Sequence, residues 1–399
     1  MKSLVIALIV IVAFFQNWLL SVIPFFGNLD EIIALTSLLY YLHSRKNDWG
    51  RERKIVIPAV VVIVVGLLFN AVFHIQNSYM ALVEDVLGIF KFLFTYLGLK
   101  QYLYNSGVNT ALILKYVMKF VCVYLLVLSL FAGLNLVSPI GMDAGYRYGL
   151  RMFSFVYGTP GHLINQMTYA LILLESHRIL NYKRIVLWEV LACFIMVCTL
   201  KTRAFTLMLI FFSLKYFILG KIRIRLRTLV PVMALLAYLV GYSQFEYYFI
   251  ADDAAPRAMF VNTAAKIVRE DFPWGTGFGT FGSSAAAKYY SPLYVKYGFS
   301  ERWGMTKDNQ LFLNDNYLPM IFVQFGFLLT IIFLIMVYRY CRLVIGECTN
   351  KFSKFIGIFF VFDILQSSLQ SSYLAHYSVV TLTFIFLICC YPNRRMGTV

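Results

Sequence analysis

Arg203 follows Lys201 by two residues and opens the apolar run Ala204-Phe205-Thr206-Leu207-Met208. An arginine within an apolar span is costly enough to mark a functional site by default, and its planar fork suits a phosphate or diphosphate. The bland alternative is a side chain that snorkels to headgroups beside Lys201. Arg257, in the one long polar stretch, is a second candidate of the same type; its alternative is a surface ion pair with Asp252 or Asp253. Arg147, Arg151 and Arg269 are held in reserve. Asp315 is a candidate acid–base residue, because it lies where a polar stretch enters an apolar one and partial burial there raises a carboxyl pKa. Asn314, Asp315 and Asn316 are equally good caps for the helix that Tyr317 begins, so Asp315 carries both readings. His162, just after Pro160, is placed to line the same cavity. Asp363, Gln366, Ser367, Gln370 and Ser371 recur at three- and four-residue spacing, a polar face read as helix packing rather than an ion path. His43, His74, His177 and His376 have no metal-ligand spacing, so no metal is expected.

These residues belong to a 399-residue chain that is 60% hydrophobic and 14% charged. A soluble domain carries about 25% charge, so the elements that position them are membrane helices. A cytosolic enzyme, a DNA-binding protein and a secreted disulfide scaffold are excluded together. The net charge of +16 does not imply nucleic acid, because most Lys and Arg cluster at the ends of apolar runs, as topology signals do. The seven cysteines lie in apolar runs or at the cytoplasmic side, so neither a disulfide framework nor a zinc site is expected.

Twelve candidate spans can be drawn: 3–20, 29–43, 55–74, 82–104, 110–136, 160–176, 185–200, 204–220, 228–244, 317–338, 354–373 and 376–391. The second and last are the weakest, which leaves ten to twelve. The first run has one Lys, no small-residue cleavage site and many spans behind it, so it reads as a membrane helix rather than a signal peptide. With the amino terminus inside, the clusters Arg45 to Lys54, Arg178 to Arg184, Lys221 to Arg227, Arg339 to Lys354 and Arg394-Arg395 all fall on the cytoplasmic face. The expected fold is all-α, a polytopic transmembrane bundle with helices 1 to 9 in 1–244, a large extracytoplasmic loop in 245–316, and helices 10 to 12 with a cytoplasmic tail in 317–399. Neither half mirrors the other, which disfavours a transporter.

The large loop mixes aromatic and charged residues, so it is expected to pack on the helices. Pro256 to Glu270 can form an amphipathic helix with Met259, Ala264, Ile267 and Val268 on or near one side. A formal GxGxxG follows at Gly277, Gly279 and Gly282. A dinucleotide site needs a strand before it and a cytosolic address, so this reads instead as a tight loop against membrane helices.

Pro256-Arg257, then Asp271-Phe272-Pro273-Trp274-Gly275-Thr276-Gly277-Phe278-Gly279-Thr280-Phe281, then Asn314-Asp315-Asn316-Tyr317-Leu318-Pro319 running into Gln324-Phe325-Gly326-Phe327-Leu328, resemble the signature of O-antigen polymerases of the Wzy type and the related O-antigen ligases. Lys201-Thr202-Arg203-Ala204-Phe205 resembles that family's Ser/Thr-x-Arg motif, and Arg151 to Gly161 is similar to a segment that opens an earlier helix. The resemblance implies a glycosyltransferase of the bacterial inner (plasma) membrane, with both termini cytoplasmic. It would join polyprenyl-diphosphate-linked oligosaccharide units on the extracytoplasmic face without metal, nucleotide sugar or other cofactor. Membrane lipids and a chain-length regulator protein are the further partners it implies, and nucleic acid is not one. In such a transfer negative charge grows on the leaving diphosphate, which fixed guanidinium groups stabilise. Arg203 and Arg257 fit that need, with Arg151, Arg269, Tyr317 and His162 as further substrate-binding residues and Asp315 as the catalytic base. Ligases of the family carry His before Asn where this chain has Asp315, a departure that favours a polymerase. The alternatives are a ligase that transfers finished glycan to lipid A core or protein and, from another class, a polysaccharide or multidrug transporter.

Overall fold

The computed structural model describes residues 2–44, 50–181, 185–220, 256–314 and 317–390. The expected ninth span at 228–244, the basic cluster Lys221 to Arg227 and the candidate base Asp315 lie outside them. Within the described residues the apolar runs are helical: α1 (Lys2–Phe14), α2 (Gln16–Val22), α3 (Leu29–Ser44), α4 (Arg53–Phe73), α5 (Tyr79–Ser106), α6 (Thr110–Val137), α7 (Pro160–Asn181), α8 (Val186–Cys198) and α9 (Thr202–Leu214). A π-helical turn, Lys215–Leu219, continues α9. The loop contributes α10 (Pro256–Glu270), α11 (Ser284–Lys288) and α12 (Pro292–Lys296), and the chain then returns as α13 (Tyr317–Gly346), α14 (Lys351–Gln370) and α15 (Tyr377–Cys390).

Side-chain caps set several of these boundaries. Ser78 accepts from the Ala81 N–H and Asn109 from Leu112, while Asn350 and Ser353 form a reciprocal capping box. Among the described residues four helices are long and apolar enough to cross a membrane: Gly50–Phe73, Thr110–Val137, Thr202–Leu219 and Tyr317–Gly346. The α1–α2 pair, bent by 72°, makes a fifth if it is one span. The drawn set of twelve is therefore coarser in the structure. Helix α5 carries Glu84, Asp85, Lys91 and Lys100, and α3 opens on Asp30 and Glu31, while α8 and α15 are apolar but shorter.

The loop between α6 and α7 holds a hairpin that the apolar pattern does not announce. Strands β1 (Asp143–Arg147) and β2 (Leu150–Phe153) pair antiparallel with Arg147 opposite Leu150. The two-residue turn is Tyr148-Gly149, both at positive φ (53° and 76°), the backbone of a type I′ turn.

Helices α3 and α5 pack so closely that a Cβ at Gly98 would overlap the Ser37 backbone. A continuous core runs through the bundle, and the large loop has a smaller one of its own around Phe260, Phe281, Tyr294 and Phe299. The buried face of α10 is Ala258, Phe260, Ala264 and Ile267, with Met259 and Val268 only flanking it, a shift from the face expected from the sequence.

The glycine-rich segment 275–283 is buried throughout, between α4, α5 and a break in α13. Asn70 accepts from the Phe278 N–H at 2.7 Å and donates to its carbonyl at 2.9 Å. Gln76 donates to the Gly279 carbonyl, Asp85 accepts from the Gly279 N–H, and Gln324 donates to the Phe281 carbonyl. The Gly277 N–H goes to the Gln324 carbonyl and the Gly282 N–H to the Tyr294 hydroxyl. With these amides occupied, the turn cannot cradle a phosphate, and a helix rather than a strand precedes it. Gly326, at φ 64° and ψ −171°, makes the break that admits the loop, and Pro273 accepts there from the Phe327 N–H at 3.2 Å.

Only glycine occupies that backbone region without strain, and a Cβ at Gly326 would meet the Trp274 carbonyl and the Gly275 nitrogen. Gly326→Ala should destabilise by about 3 kcal/mol or more, and Asn70→Ala by about 1–3 kcal/mol through two lost buried hydrogen bonds. Thermal unfolding of the detergent-purified variants measures both. An unshifted transition for Gly326→Ala would mean that the loop does not seat at this break.

Candidate anion site at the helix mouths

Arg203 lies in the first turn of α9, after a tight turn in which Leu200 takes φ 53° and Lys201 returns to extended backbone. The hairpin fixes that turn, since Arg147 Nη1 donates to the Leu200 carbonyl at 3.0 Å. The Arg203 side chain is 14% exposed and points among three other elements. Its Nη2 donates to Asn165 Oδ1 of α7 at 2.6 Å and stands 3.5 Å from Asp363 Oδ1 of α14. The guanidinium lies 5.2 Å from the centre of the Tyr373 ring, in the link between α14 and α15.

Asp363 is fully buried and also accepts from Ser367 Oγ and from the Tyr373 hydroxyl, both at 3.1 Å. Asn165 is held in turn by Ser378, to whose Oγ its Nδ2 donates at 2.8 Å. The guanidinium is thus oriented by groups that are themselves oriented. Its Nε is buried and has no hydrogen-bond partner among the described residues. A buried donor without a partner costs about 1–3 kcal/mol, so this edge of the fork is where an anion would be favoured.

Beside it lies a ring cluster. His162 and His376 stack with centroids 5.6 Å apart and planes 18° apart, and the His162 Nδ1 is hydrogen-bonded to the Tyr377 hydroxyl. His376 also stacks with Tyr373 and is 2.9 Å from Ser378 Oγ through Nδ1. Of the residues expected from the sequence, His162 therefore joins Arg203, which lies within its electrostatic reach. Arg257, in the first turn of α10, is partly buried and acts on the same turn. Burial first, then the charges of Arg147 and Arg257, hold the Lys201 ammonium below its ordinary pKa.

The others are placed elsewhere. Arg151 closes the end of α6, with Nε on the Asn135 carbonyl at 2.7 Å and Nη2 on that of Leu136 at 3.2 Å. Arg269 is exposed twelve residues along α10 from Arg257, roughly 18 Å away at the helical rise. Tyr317 is buried at the start of α13 with its ring toward Phe333. Asp315 is outside the described residues, but the carbonyl of Asn314 just before it accepts from Ser372 Oγ at 2.7 Å, beside Tyr373. No group of three or more His, Cys, Asp or Glu among the described residues could hold a metal ion.

Asn165, Asp363, Tyr373 and His376 are the contributors that the sequence reading passed over. Asp363 carried a signal, since a lone carboxylate in an apolar run requires a partner, but spacing alone does not say which cation faces it. The chain matches no protein-family model, no curated protein and no solved structure.

Arg203 and Asp363 should couple energetically. In a cycle of Arg203→Gln, Asp363→Asn and the double variant, each single change should cost more than its share of the double, with an interaction energy of about 1–3 kcal/mol. Chemical denaturation of the purified proteins reads it. Strict additivity would dissolve the pair.

Proposed function

We propose that this chain is a polysaccharide polymerase of the cell envelope, joining lipid-diphosphate-linked oligosaccharide units on the extracytoplasmic side of a bacterial inner membrane. The observation that carries the reading is the oriented Arg203 fork with its unsatisfied buried Nε, on a turn where Lys201 feels the charges of Arg147 and Arg257. In the transfer, the bond from the donor sugar to its lipid diphosphate breaks while an acceptor hydroxyl attacks. Arg203 and Arg257 stabilise the charge that grows on the departing diphosphate, and Asp315 takes the hydroxyl proton. Ser372 bonding to Asn314 supports this, because it holds the residue next to Asp315 at the edge of the same site. The bundle in this reading has ten to twelve spans with both termini cytoplasmic. A chain-length regulator protein is a further partner.

A ligase remains the rival within the class. The transporter reading has one observation in its favour: Lys91 of α5, buried inside the bundle with Asp30 and with Glu31 at 3.2 Å. Flux of lipid-linked units in proteoliposomes without polymer formation would select it.

Polymer made from purified lipid-linked repeat units by the reconstituted protein tests the chemistry. Arg203→Lys keeps a charge opposite Asp363 but loses the fork, and should cost tenfold or more, on the order of one charge-assisted contact. Arg257→Ala should abolish long chains. Asp315→Asn should lose about a hundredfold if Asp315 is a base and little if it is a helix cap. Normal chain-length ladders from Arg203→Lys and Arg257→Ala together would remove diphosphate binding from this site.

The orientation is tested separately. A cysteine at Val295, which is 60% exposed in the loop, should react with a membrane-impermeant reagent in cells whose outer membrane, where there is one, is permeabilised. One at exposed Asn105, at the opposite ends of the helices, should be protected. The reverse pattern would invert the topology.

A further inference from the structure

At the end of the bundle opposite Arg203, α1 packs on α6 and α15 while α3 packs on α5 and α15, and a slot of about 420 Å³ stays open between the two groups. Val5, Ile6 and Ile9 form one wall, Ile33 and Leu99 the other, and Phe384 of α15 the floor. The polar residues of the lining are few: Lys2, Thr36, Ser37, Tyr40 and Tyr102. The Thr36 hydroxyl donates to the Ile32 carbonyl of its own helix at 2.7 Å, whereas Tyr40, Tyr102 and the exposed ammonium of Lys2 stand toward the start of α1. Lys2 is the one charged residue of the lining, and α1 has no acidic residue in its first turn to neutralise it.

An apolar slot does not hold ordered water, because a buried water needs two to four polar partners. Left empty, its walls would forgo dispersion contacts. The occupant must therefore be an apolar chain, entered from the side, with an anionic group at the Lys2 end. We infer that the slot binds one acyl chain of an anionic phospholipid whose phosphate sits at Lys2, in the leaflet opposite the Arg203 mouth. This ligand is distinct from any lipid-linked glycan, since the cation that would hold its headgroup lies at the far end of the helices. The inference stands or falls independently of the proposed glycosyl transfer.

The test is photocrosslinking in nanodiscs with phosphatidylglycerol that carries a diazirine in its acyl chain, followed by mass-spectrometric mapping. Label should appear on Ile9, Ile33 and Leu99, and unlabelled phosphatidylglycerol should compete better than phosphatidylcholine by about fivefold, the effect of one lysine near a membrane surface. Lys2→Gln should erase that preference while leaving the label in place. Thr36→Trp should fill the slot and remove the label at these three positions, with an unchanged thermal transition to show that the bundle is intact. Label elsewhere only, or equal competition by the two lipids in the wild-type protein, overturns the proposal. So does displacement by a polyprenyl diphosphate at lower concentration than phosphatidylglycerol.

Discussion

Asp363 has no exposed surface and sits in a helix among apolar neighbours, and the arrangement around it follows from what a buried carboxylate requires. An ionised carboxylate cannot be left alone there, and removing the partner of a buried pair costs about 3–5 kcal/mol. Arg203 supplies the countercharge, although 3.5 Å is at the limit of a hydrogen bond, so balance of charge matters more here than a tight contact. Meeting that requirement ties α9 to α14. Through Asn165 it ties both to α7, and through Tyr373 it fixes the entry of α15. The structural role of Arg203 and the chemical role proposed for it consequently rest on one interaction. An alanine there strands Asp363 as well as emptying the site, which is why lysine is the informative replacement.

Three lysines that point into the bundle follow a different rule. Lys100 meets both Glu52 and Glu347, Lys215 meets Glu175 and Glu189, and Lys91 meets Asp30 and Glu31. Each compact ammonium faces two carboxylates, so each cluster has at least as much negative as positive charge to place and no attraction for an anion. At the mouth the balance reverses: Arg203 faces one carboxylate, and Lys201, two residues before it, lies within the electrostatic reach of Arg147 and Arg257. Total charge does not single out a candidate anion site in a chain of +16, but the local ratio of cations to carboxylates does.

That ratio also marks how far the sequence could be read. Arg203, Arg257 and His162 could be found because a charged or titratable residue at the edge of an apolar run is expensive and visible in one dimension. The glycine-rich segment was legible as a tight loop, since its glycines excluded a helix and its surroundings excluded a nucleotide fold. Asn165 and Tyr373 were not legible, because each bears on the site through Arg203, 38 residues from Asn165 and 170 from Tyr373, and their types are common in such helices. The hairpin was missed for a local reason: its strands are short, and Tyr148-Gly149 is a weaker turn signal than Asn-Gly or Asp-Gly. Arg151 was legible as a charge but not as the closure of α6, since the carbonyls it meets belong to the backbone of Asn135 and Leu136.

The placement of Arg257 depends on contacts far from it. Helix α10 leads directly into the glycine-rich segment, and that segment is held by side chains of α4, the α4–α5 link, α5 and α13 as well as by Tyr294 of its own loop. Asn70 reaches Phe278 across 208 residues of sequence and occupies both its amide and its carbonyl. Gly326 then lets α13 open its own backbone to Pro273, so the loop is joined to the helix by main-chain bonds as well as by packing. A loop anchored in this way is an extension of the bundle and not a tether. The side of it that carries Arg257 is therefore set by the same frame that sets Arg203, which is what the proposed joint action of the two guanidinium groups requires if it is to avoid a large entropic cost of bringing them together.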